Sequence, residues 1–217
     1  MTETRVDALA ARLRTLLQKG VYTSGARLVE LQFAQEMNVS QVTVRTALQV
    51  LEQEGWVVKH PRRGVTVRTF TADQAEEVVL LWAAVEALVL RWVIPKLKKA
   101  DRVLLYSHVR RAQRAAMDRK PGLALAMLFE WHLALARLAH ERELTVTVLE
   151  RLHNQARLLE AMRSARCDLD LAALHALVAG HERLSEQIDA QDEDGADSTL
   201  RAQIAAYGVL VIAALRE

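Results

Sequence analysis

Polar side chains suited to contacting nucleic acid lie at the predicted start of a short helix. Ser40 is a good first residue for that helix, because its hydroxyl can accept an exposed backbone N–H, and the first turn carries Gln41, Thr43 and Arg45. Gln can pair with adenine through two hydrogen bonds, and Arg can reach guanine or a phosphate. A helix that enters the major groove by this end would also offer its N–H groups to phosphates. These residue types favour a helix that reads DNA.

A second polar stretch is the basic turn His60-Pro61-Arg62-Arg63-Gly64, which separates two predicted strands at 56–59 and 65–68. Gly64 permits a tight turn, and Arg62 and Arg63 would lie near the DNA backbone or the minor groove. The same residues are also compatible with a small helical module whose basic side chains are only solvated.

Helical spacing of apolar residues predicts three short helices that would position these side chains. The first covers 6–19 and ends near Gly20, and the third ends near Gly55. The apolar positions of the second helix are Leu28, Leu31, Phe33, Ala34 and Met37, and those of the third are Val44, Ala47, Leu48 and Leu51. Three short helices followed by a hairpin is the order of a winged helix-turn-helix.

The charge of the chain is divided unevenly along its 217 residues. Residues 1–70 carry 10 Lys/Arg against 6 Asp/Glu, a net charge of +4, whereas the remainder carries 19 against 21, a net charge of −2. A positive N-terminal part suits a phosphate-rich partner. The single cysteine, Cys167, excludes a disulfide framework and a four-cysteine zinc site, and no base partner is evident for it as a nucleophile.

The remainder of the chain is helical by pattern, so the fold class is mostly α. The first helix of this part is expected to be capped by Asp73 and to end near Pro95, with turns at Pro121-Gly122 and at 192–195. Further helices are predicted at about 100–119, 121–139, 143–165, 168–190 and 196–215. We therefore divide the chain into a winged helix-turn-helix domain at 1–70 and an all-helical domain at 71–217, a bundle large enough to enclose a ligand.

The longest apolar run, residues 78–94, is interrupted by Glu86 and Arg91 and is shorter than the ~20 residues that a bilayer requires. It predicts a buried helix and no membrane partner. The first residues also lack the apolar core of a signal peptide, so the expected location is the cytoplasm.

Residues 6–70 resemble the GntR superfamily of bacterial regulators in three ordered strings that continue into the hairpin. The strings are Arg27-Leu28-Val29-Glu30, Asn38 through Leu48, and Leu51-Glu52-Gln53-Glu54-Gly55-Trp56-Val57. Similar members have a basic residue in place of Gln41, often Pro in place of Thr43, and often a basic residue in place of Leu31. The resemblance then leaves Arg27, Arg45, Arg62 and Arg63 as the main DNA contacts. It implies a homodimeric transcriptional regulator, a repressor, that reads a pseudo-palindromic operator.

The second part resembles the all-helical effector-binding domain of the FadR-type branch of that superfamily. Glu86 stands where its first helix usually has Glu, and His132 and His181 have the spacing of two histidines that bind a metal in many members. The pattern also has an Asp one turn before the first His, a third His on the last helix and an Arg early in the first helix. Those positions are Leu128, Gln203 and Trp82 here.

These replacements change the chemistry that the resemblance implies. Leu128 cannot coordinate a metal and Gln203 offers only a neutral carbonyl, whereas a divalent metal requires three or four good ligands. We therefore expect no cofactor and a more apolar effector pocket, in which an inward His is a hydrogen-bonded core residue. The predicted lining residues are Trp82, Glu86, Trp131, His132, His181, Gln203 and Tyr207.

One alternative retains a metal on His132 and His181, with Glu130, His175 or water as further ligands. The other histidines, His108, His140 and His153, are expected to be surface or packing residues.

The function predicted from these features is regulation of transcription in response to a small-molecule effector, such as an organic acid. One alternative is a DNA-binding dimer whose helical domain is purely structural. A helical enzyme is the other, but the chain lacks a Gly-rich phosphate loop, an HExxH zinc motif and a serine-nucleophile motif, so we expect no catalytic activity.

Overall fold

The computed structural model describes residues 4–216, which form nine α-helices and three short strands. The N-terminal part contains α1 (Arg5–Gln18), β1 (Arg27–Leu28), α2 (Glu30–Glu36), α3 (Gln41–Gln53), β2 (Val57–His60) and β3 (Gly64–Val67). The second part contains α4 (Ala72–Val93), a 3₁₀ turn (Ile94–Lys96), α5 (Lys99–Met117), α6 (Pro121–Leu138), α7 (Glu143–Ser164), α8 (Leu171–Asp189) and α9 (Glu193–Arg216). The predicted class, a winged helix-turn-helix followed by an all-helical bundle, is confirmed.

The N-terminal core lies between α1, α3 and an antiparallel sheet of order β1-β3-β2. In the hairpin, Val57 pairs with Val67 and His60 with Gly64, so each strand is displaced by one residue from its predicted position. The apolar face of α3 is fully buried, as its spacing predicted. The residues of that face are Val44, Ala47, Leu48 and Leu51.

The start and the end of α3 follow from local chemistry. The Ser40 hydroxyl accepts a hydrogen bond from the Thr43 backbone N–H at 3.1 Å, which caps the helix as expected. Just beyond the helix, Gly55 has φ +86°, a left-handed conformation that favours glycine. The chain can therefore turn sharply from α3 into β2.

Leu28 is not part of the second helix, contrary to the prediction. It lies in β1, where Arg27 pairs with Thr66 and Leu28 with Val65. The helix begins only at Glu30 and buries Phe33 and Ala34. A two-residue strand is too short to show a period of two in the sequence, and its partner β3 lies far along the chain. The pairing is thus a tertiary effect.

Several boundaries in the second part also differ from their predictions. The cap of α4 is Thr71 and not Asp73, because the Thr71 side chain and Gln74 form a reciprocal capping box. Pro121 is the first residue of α6, which agrees with the predicted helix at 121–139 and not with the predicted turn, since the first helical position needs no N–H donor. The expected turn at 192–195 is likewise the start of α9, where the Asp192 carboxylate accepts from the Gly195 N–H at 3.0 Å.

Two helical segments, Ala72–Lys96 and Glu193–Arg216, are long and apolar enough to cross a membrane by length and composition alone. They pack against each other, and their inward residues belong to the core of the bundle. Core helices of helical bundles pass the same length and composition test.

Helix α7 contributes to both cores of the chain. Leu149, Leu152 and Leu159 belong to the core of the bundle, whereas Leu158 packs into the core of the N-terminal part. Next to the buried His153, the Asn154 side-chain amide donates to the Glu54 carbonyl at the end of α3, at 3.2 Å. Helix α7 therefore connects the interior of the bundle to the end of α3.

Candidate functional site

The first turn of α3 presents its polar side chains on the surface of the N-terminal part. Ser40, Gln41 and Arg45 are exposed, and Thr43 is half-buried. The Ser40 and Thr43 hydroxyls lie 2.8 Å apart, so they are hydrogen-bonded to each other. The Arg45 guanidinium pairs with the Glu30 carboxylate at 2.9 Å. Since the Arg45 side chain is still 56% exposed, this pair leaves most of its surface open to a partner.

The tip of the hairpin gathers three arginines. Residues 61–64 are all exposed, with Arg62 at φ +61° and Gly64 at φ +87°. Arg27 lies beside the tip, because a Cβ atom at Gly64 would be 3.5 Å from the Arg27 Nε. The three side chains thus form a basic wing (Arg27, Arg62 and Arg63).

A buried polar cluster lies inside the bundle and is centred on Glu86, whose side chain is fully enclosed. The Glu86 carboxylate accepts hydrogen bonds from the Trp82 indole N–H, from His132 Nδ1 at 2.8 Å and from His153 Nε2 at 3.2 Å. The bonds come from α4 itself, α6 and α7, so this one carboxylate joins three helices. We call Trp82, Glu86, His132, His153 and His181 the Glu86 cluster.

Hydrogen-bond directions assign the protons of the cluster. His181 Nδ1 donates to the Leu177 carbonyl at 2.8 Å, which leaves a lone pair on Nε2 of the neutral ring. His132 Nε2 lies 3.1 Å from that atom and must therefore donate to it. His132 Nδ1 lies 2.8 Å from the Glu86 carboxylate on the other side of the ring, so His132 bridges Glu86 and His181. A continuous chain of hydrogen bonds thus holds the centre of the bundle.

The pKa values in the cluster follow from this arrangement. Burial opposes the charged form of Glu86, but the charge of His132 and the bonds from His132 and His153 prevail and lower the pKa of Glu86 to about 2. Burial and the neighbouring His132 charge lower the pKa of His181 to about 3. Burial also lowers the pKa of His153, so its ring is neutral at pH 7 and donates from Nε2.

The structure brings together five of the seven residues predicted for the effector pocket. Trp82, His132, His181, Gln203 and Tyr207 line a common cavity. Glu86 and Trp131 are not among its lining residues. Glu86 lies behind Trp82 and His132, and the Trp131 ring packs edge-on against His132 and His181 at centroid distances of 5.1 and 5.4 Å.

This cavity is nearly filled by aromatic side chains. Trp82 and Phe129 stack at 6.0 Å, and Tyr207 packs edge-on against both rings while its hydroxyl donates to the Ala156 carbonyl at 2.7 Å. The remaining volume of about 20 Å³ has room for one water molecule. An organic acid would enter only if these rings moved.

His153 is a buried packing residue, which is one of the two expectations for it, but its place in the Glu86 cluster was not predicted from the sequence. A signal for it exists in the sequence, because His153 shares the apolar face of α7 with Leu149, Leu152 and Ala156. The exposed His140 and the half-buried His108 lie outside the cluster, as expected.

The donor set does not fit a resident divalent metal. Ligand-type atoms of Glu86, His132 and His153 lie within 4.8 Å of one another, but both carboxylate oxygens already accept hydrogen bonds. On the other side of His132, the two Nε2 atoms of His132 and His181 share a hydrogen bond, and Leu128 lines the cavity in place of a ligand.

The Gln203 Oε1 atom is buried and has no hydrogen-bond partner among residues 4–216, but a neutral amide oxygen is a weak ligand for a divalent ion. The two additional ligands considered from the sequence do not join it. Glu130 pairs with Arg157 at 2.8 Å, and His175 is exposed.

Comparisons with solved structures show the same fold over nearly the whole chain. A putative GntR transcriptional regulator from Rhodococcus sp. RHA1 superposes with a TM-score of 0.80 at 22% identity, covering 96% of this chain and 98% of that one. McbR/YncC from E. coli superposes with a TM-score of 0.84 at 18% identity, covering 97% and 98%.

A curated relative, the HTH-type transcriptional regulator YdhC of Bacillus subtilis, is 22% identical over 186 residues, which is 85% of this chain and 81% of the relative. The model of the family "Bacterial regulatory proteins, gntR family" matches residues 5–67, and the model of the FCD domain, the FadR-type helical domain, matches residues 77–206. FCD domains often bind metals or small molecules. The chain belongs to the GntR family of bacterial regulatory proteins and is an HTH-type transcriptional regulator with an FCD effector-binding domain.

Proposed function

We propose that this regulator is a homodimeric, cytoplasmic repressor that reads a pseudo-palindromic operator and responds to a small effector, and that it has no catalytic activity. The observation that carries this proposal is the exposed first turn of α3 together with the basic wing on the same N-terminal part. A dimer places two such helices on successive half-sites, which doubles the contacts and steepens sequence discrimination.

The proposed DNA contacts divide into two groups. Ser40, Gln41, Thr43 and Arg45 enter the major groove at the start of α3, where Gln41 and Arg45 reach base edges and the hydroxyls reach phosphates. Arg27, Arg62 and Arg63 hold the backbone or the minor groove at the wing. Gly64 contributes by its left-handed conformation, which lets the wing turn close to DNA.

Arg45 would exchange partners on binding DNA. In the free protein, Glu30 holds its guanidinium through bonds of 2.9 to 3.3 Å. Guanine O6 and N7, or two oxygens of a phosphate, offer a comparable pair of acceptors, so the pair orients Arg45 toward the groove at a modest electrostatic cost.

We assign residues 1–70 to DNA binding and residues 71–217 to effector binding and dimerisation. Helix α7 links the two functions, because it carries His153 in the Glu86 cluster and Asn154 at the end of α3. A shift of α7 would move the end of the recognition helix, and this connection provides a route for effector control.

The predicted effector residues around His132 and His181 remain part of this proposal, with an organic acid or a similar metabolite as the effector. The filled cavity of about 20 Å³ also favours a second candidate, a DNA-binding dimer whose helical domain is purely structural. A thermal-shift screen of small carboxylic acids separates the two, because a ligand of the folded state raises the melting temperature. If no compound raises it, the second candidate is favoured.

We propose that the bundle contains no resident metal, because a shared proton between His132 and His181 satisfies both Nε2 atoms. Elemental analysis of protein purified without a His tag should find less than stoichiometric zinc, nickel or manganese. A tightly bound equivalent of any of these metals would refute this proposal.

Genomic SELEX with the full-length protein tests DNA reading, and ultracentrifugation on the selected site tests the dimer. We expect one enriched motif with two-fold symmetry. Arg45→Ala should weaken binding about 10- to 100-fold, as the loss of a base-reading arginine does. Arg110→Ala on the exposed side of α5 is the matched control and should bind like the wild type. The absence of any enriched motif would contradict the proposal.

A further inference from the structure

A second and larger cavity lies between the two parts of the chain. Its volume is about 320 Å³, within the range of small-molecule sites, and it is bounded by α6, by α7 and by the segment that follows α7. Gln18, the last residue of α1, reaches its rim from the N-terminal part. A molecule in this cavity would therefore touch both parts.

The apolar wall of this interdomain cavity includes Leu125, Phe129 and Leu169. Leu125 and Phe129 also line the filled cavity beside the Glu86 cluster. The two cavities thus share a wall, but only the interdomain one has room for a metabolite.

The polar wall carries two ion pairs that differ in how fully they are satisfied. Arg163 donates twice to Glu160, at 3.0 and 2.7 Å, and once to the Cys167 carbonyl at 2.9 Å, so three of its five N–H groups are engaged. Arg157 donates only one hydrogen bond to a side chain among residues 4–216, from Nη2 to Glu130 at 2.8 Å, and its guanidinium lies 5.6 Å from the centre of the Phe129 ring. Both partners of this second pair therefore retain bonding capacity.

The charges of this pair select the ligand. A guanidinium with free N–H groups can donate to a carboxylate, and the free oxygen of Glu130 can accept a hydrogen bond from an ammonium group. A simple carboxylate would meet the repulsion of Glu130, and a simple amine that of Arg157. A molecule that carries both charges side by side on an apolar body satisfies both side chains and the apolar wall.

We propose that the interdomain cavity binds an apolar α-amino acid, with its carboxylate on Arg157, its ammonium group on Glu130 and its side chain against Leu125, Phe129 and Leu169. This proposal rests on the proposed function and deepens it, because it gives a regulator that responds to small effectors a second ligand site outside the predicted pocket. Occupation would act on DNA binding through α7 and through the end of α1 at Gln18.

Calorimetry on the full-length protein tests the proposal with L-leucine, L-methionine and L-phenylalanine as probes. For leucine, 4-methylpentanoic acid lacks only the amine and 3-methylbutylamine lacks only the carboxylate. We expect at least one amino acid to bind, and leucine, where it binds, to exceed each analogue by about tenfold or more, as the loss of one charge-assisted bond predicts.

Substitutions locate the bound amino acid. Arg157→Gln and Glu130→Gln should each weaken binding by about tenfold or more, and Ala126→Trp should block the cavity. Glu130→Gln should in addition bind 4-methylpentanoic acid more tightly than the wild type, because the repulsion is removed. Asp197→Asn, which breaks the Arg201 pair on α9, is the control and should bind the amino acid like the wild type.

The proposal is overturned if none of the three amino acids binds, if an analogue binds as tightly as leucine, or if binding survives both substitutions of the pair. Fluorescence anisotropy on the selected operator is measured separately without amino acid. If the wild type binds the operator but no amino acid, only the cavity assignment is overturned. If the wild type does not bind the operator, the proposed function is contradicted.

Discussion

The two parts of this regulator place their polar side chains in opposite ways. In the N-terminal part, the proposed DNA contacts are exposed, at the first turn of α3 and on the wing. In the bundle, Glu86, His132, His153 and His181 are buried and bonded to one another. The exposed groups keep their water until a partner replaces it, whereas the buried groups bond to one another, to Trp82 and to the Leu177 carbonyl. The first arrangement suits recognition, and the second suits a rigid interior.

The largest expected effect breaks the buried arrangement. Glu86→Ala leaves the Trp82, His132 and His153 donors without their acceptor, and should lower the free energy of unfolding by about 3–5 kcal/mol, as other broken buried pairs do. Urea denaturation followed by circular dichroism measures this. Arg14→Ala is the matched control in the N-terminal part, since it breaks the half-exposed pair with Glu54. Arg14→Ala should lower the free energy of unfolding by less than about 1.5 kcal/mol. If the two substitutions cost the same, the contrast between buried and exposed polar groups is contradicted.

A second prediction tests how separate the two parts are. Leu158→Ala empties a buried position that belongs to α7 but packs in the N-terminal core, and should cost about 2–4 kcal/mol. Urea denaturation followed by circular dichroism measures this cost. Leu144→Ala, exposed on the same helix, should change stability by less than about 0.5 kcal/mol. If Leu158→Ala also leaves the free energy of unfolding unchanged, packing of α7 does not stabilise the N-terminal part.

Acidification should weaken the bundle through its histidines. The pKa values of His181 and His153 are lowered in the folded protein. Below about pH 6.5 these two histidines therefore bind protons in the unfolded chain but not in the folded one. Their stability contribution is therefore complete above that pH and is lost as the pH falls toward the folded value of about 3 for His181. Glu86, with a pKa lowered to about 2, adds a further loss below about pH 4.5.

Melting temperatures between pH 7 and pH 4 measure this loss. His153→Gln keeps an N–H donor for Glu86 but does not titrate, so its melting temperature should fall less on acidification than that of the wild type. His140→Gln, at an exposed position, should follow the wild type. A wild-type melting temperature that is constant over this range would contradict the lowered pKa values of His181 and His153.

The smallest expected effect compares two helix caps. Ser40→Ala and Thr71→Ala each remove a side-chain acceptor at the start of a helix and should each cost about 1 kcal/mol in thermal or urea unfolding. Ser40→Ala should also weaken operator binding, whereas Thr71→Ala should not, because Thr71 precedes the bundle. Equal effects on operator binding would remove Ser40 from the proposed DNA surface.

Much of the N-terminal part could be predicted from sequence because its signals are local. Ser40 caps α3, Gly55 takes a left-handed conformation just beyond its end, and the face from Val44 to Leu51 is buried as its spacing indicates. The strand at Leu28 could not be predicted, since its partner Val65 lies far away in sequence.

The sequence by itself determined the fold class, the exposed basic surface and the replacement of two expected metal ligands by Leu128 and Gln203, because periodicity, capping and residue type are local properties. Only the tertiary structure decided that His153 joins Glu86, that aromatic rings fill the predicted pocket and that a larger cavity opens beside α7. Those outcomes depend on how side chains from helices distant in sequence pack together and bond to one another, and a local sequence pattern does not contain that information.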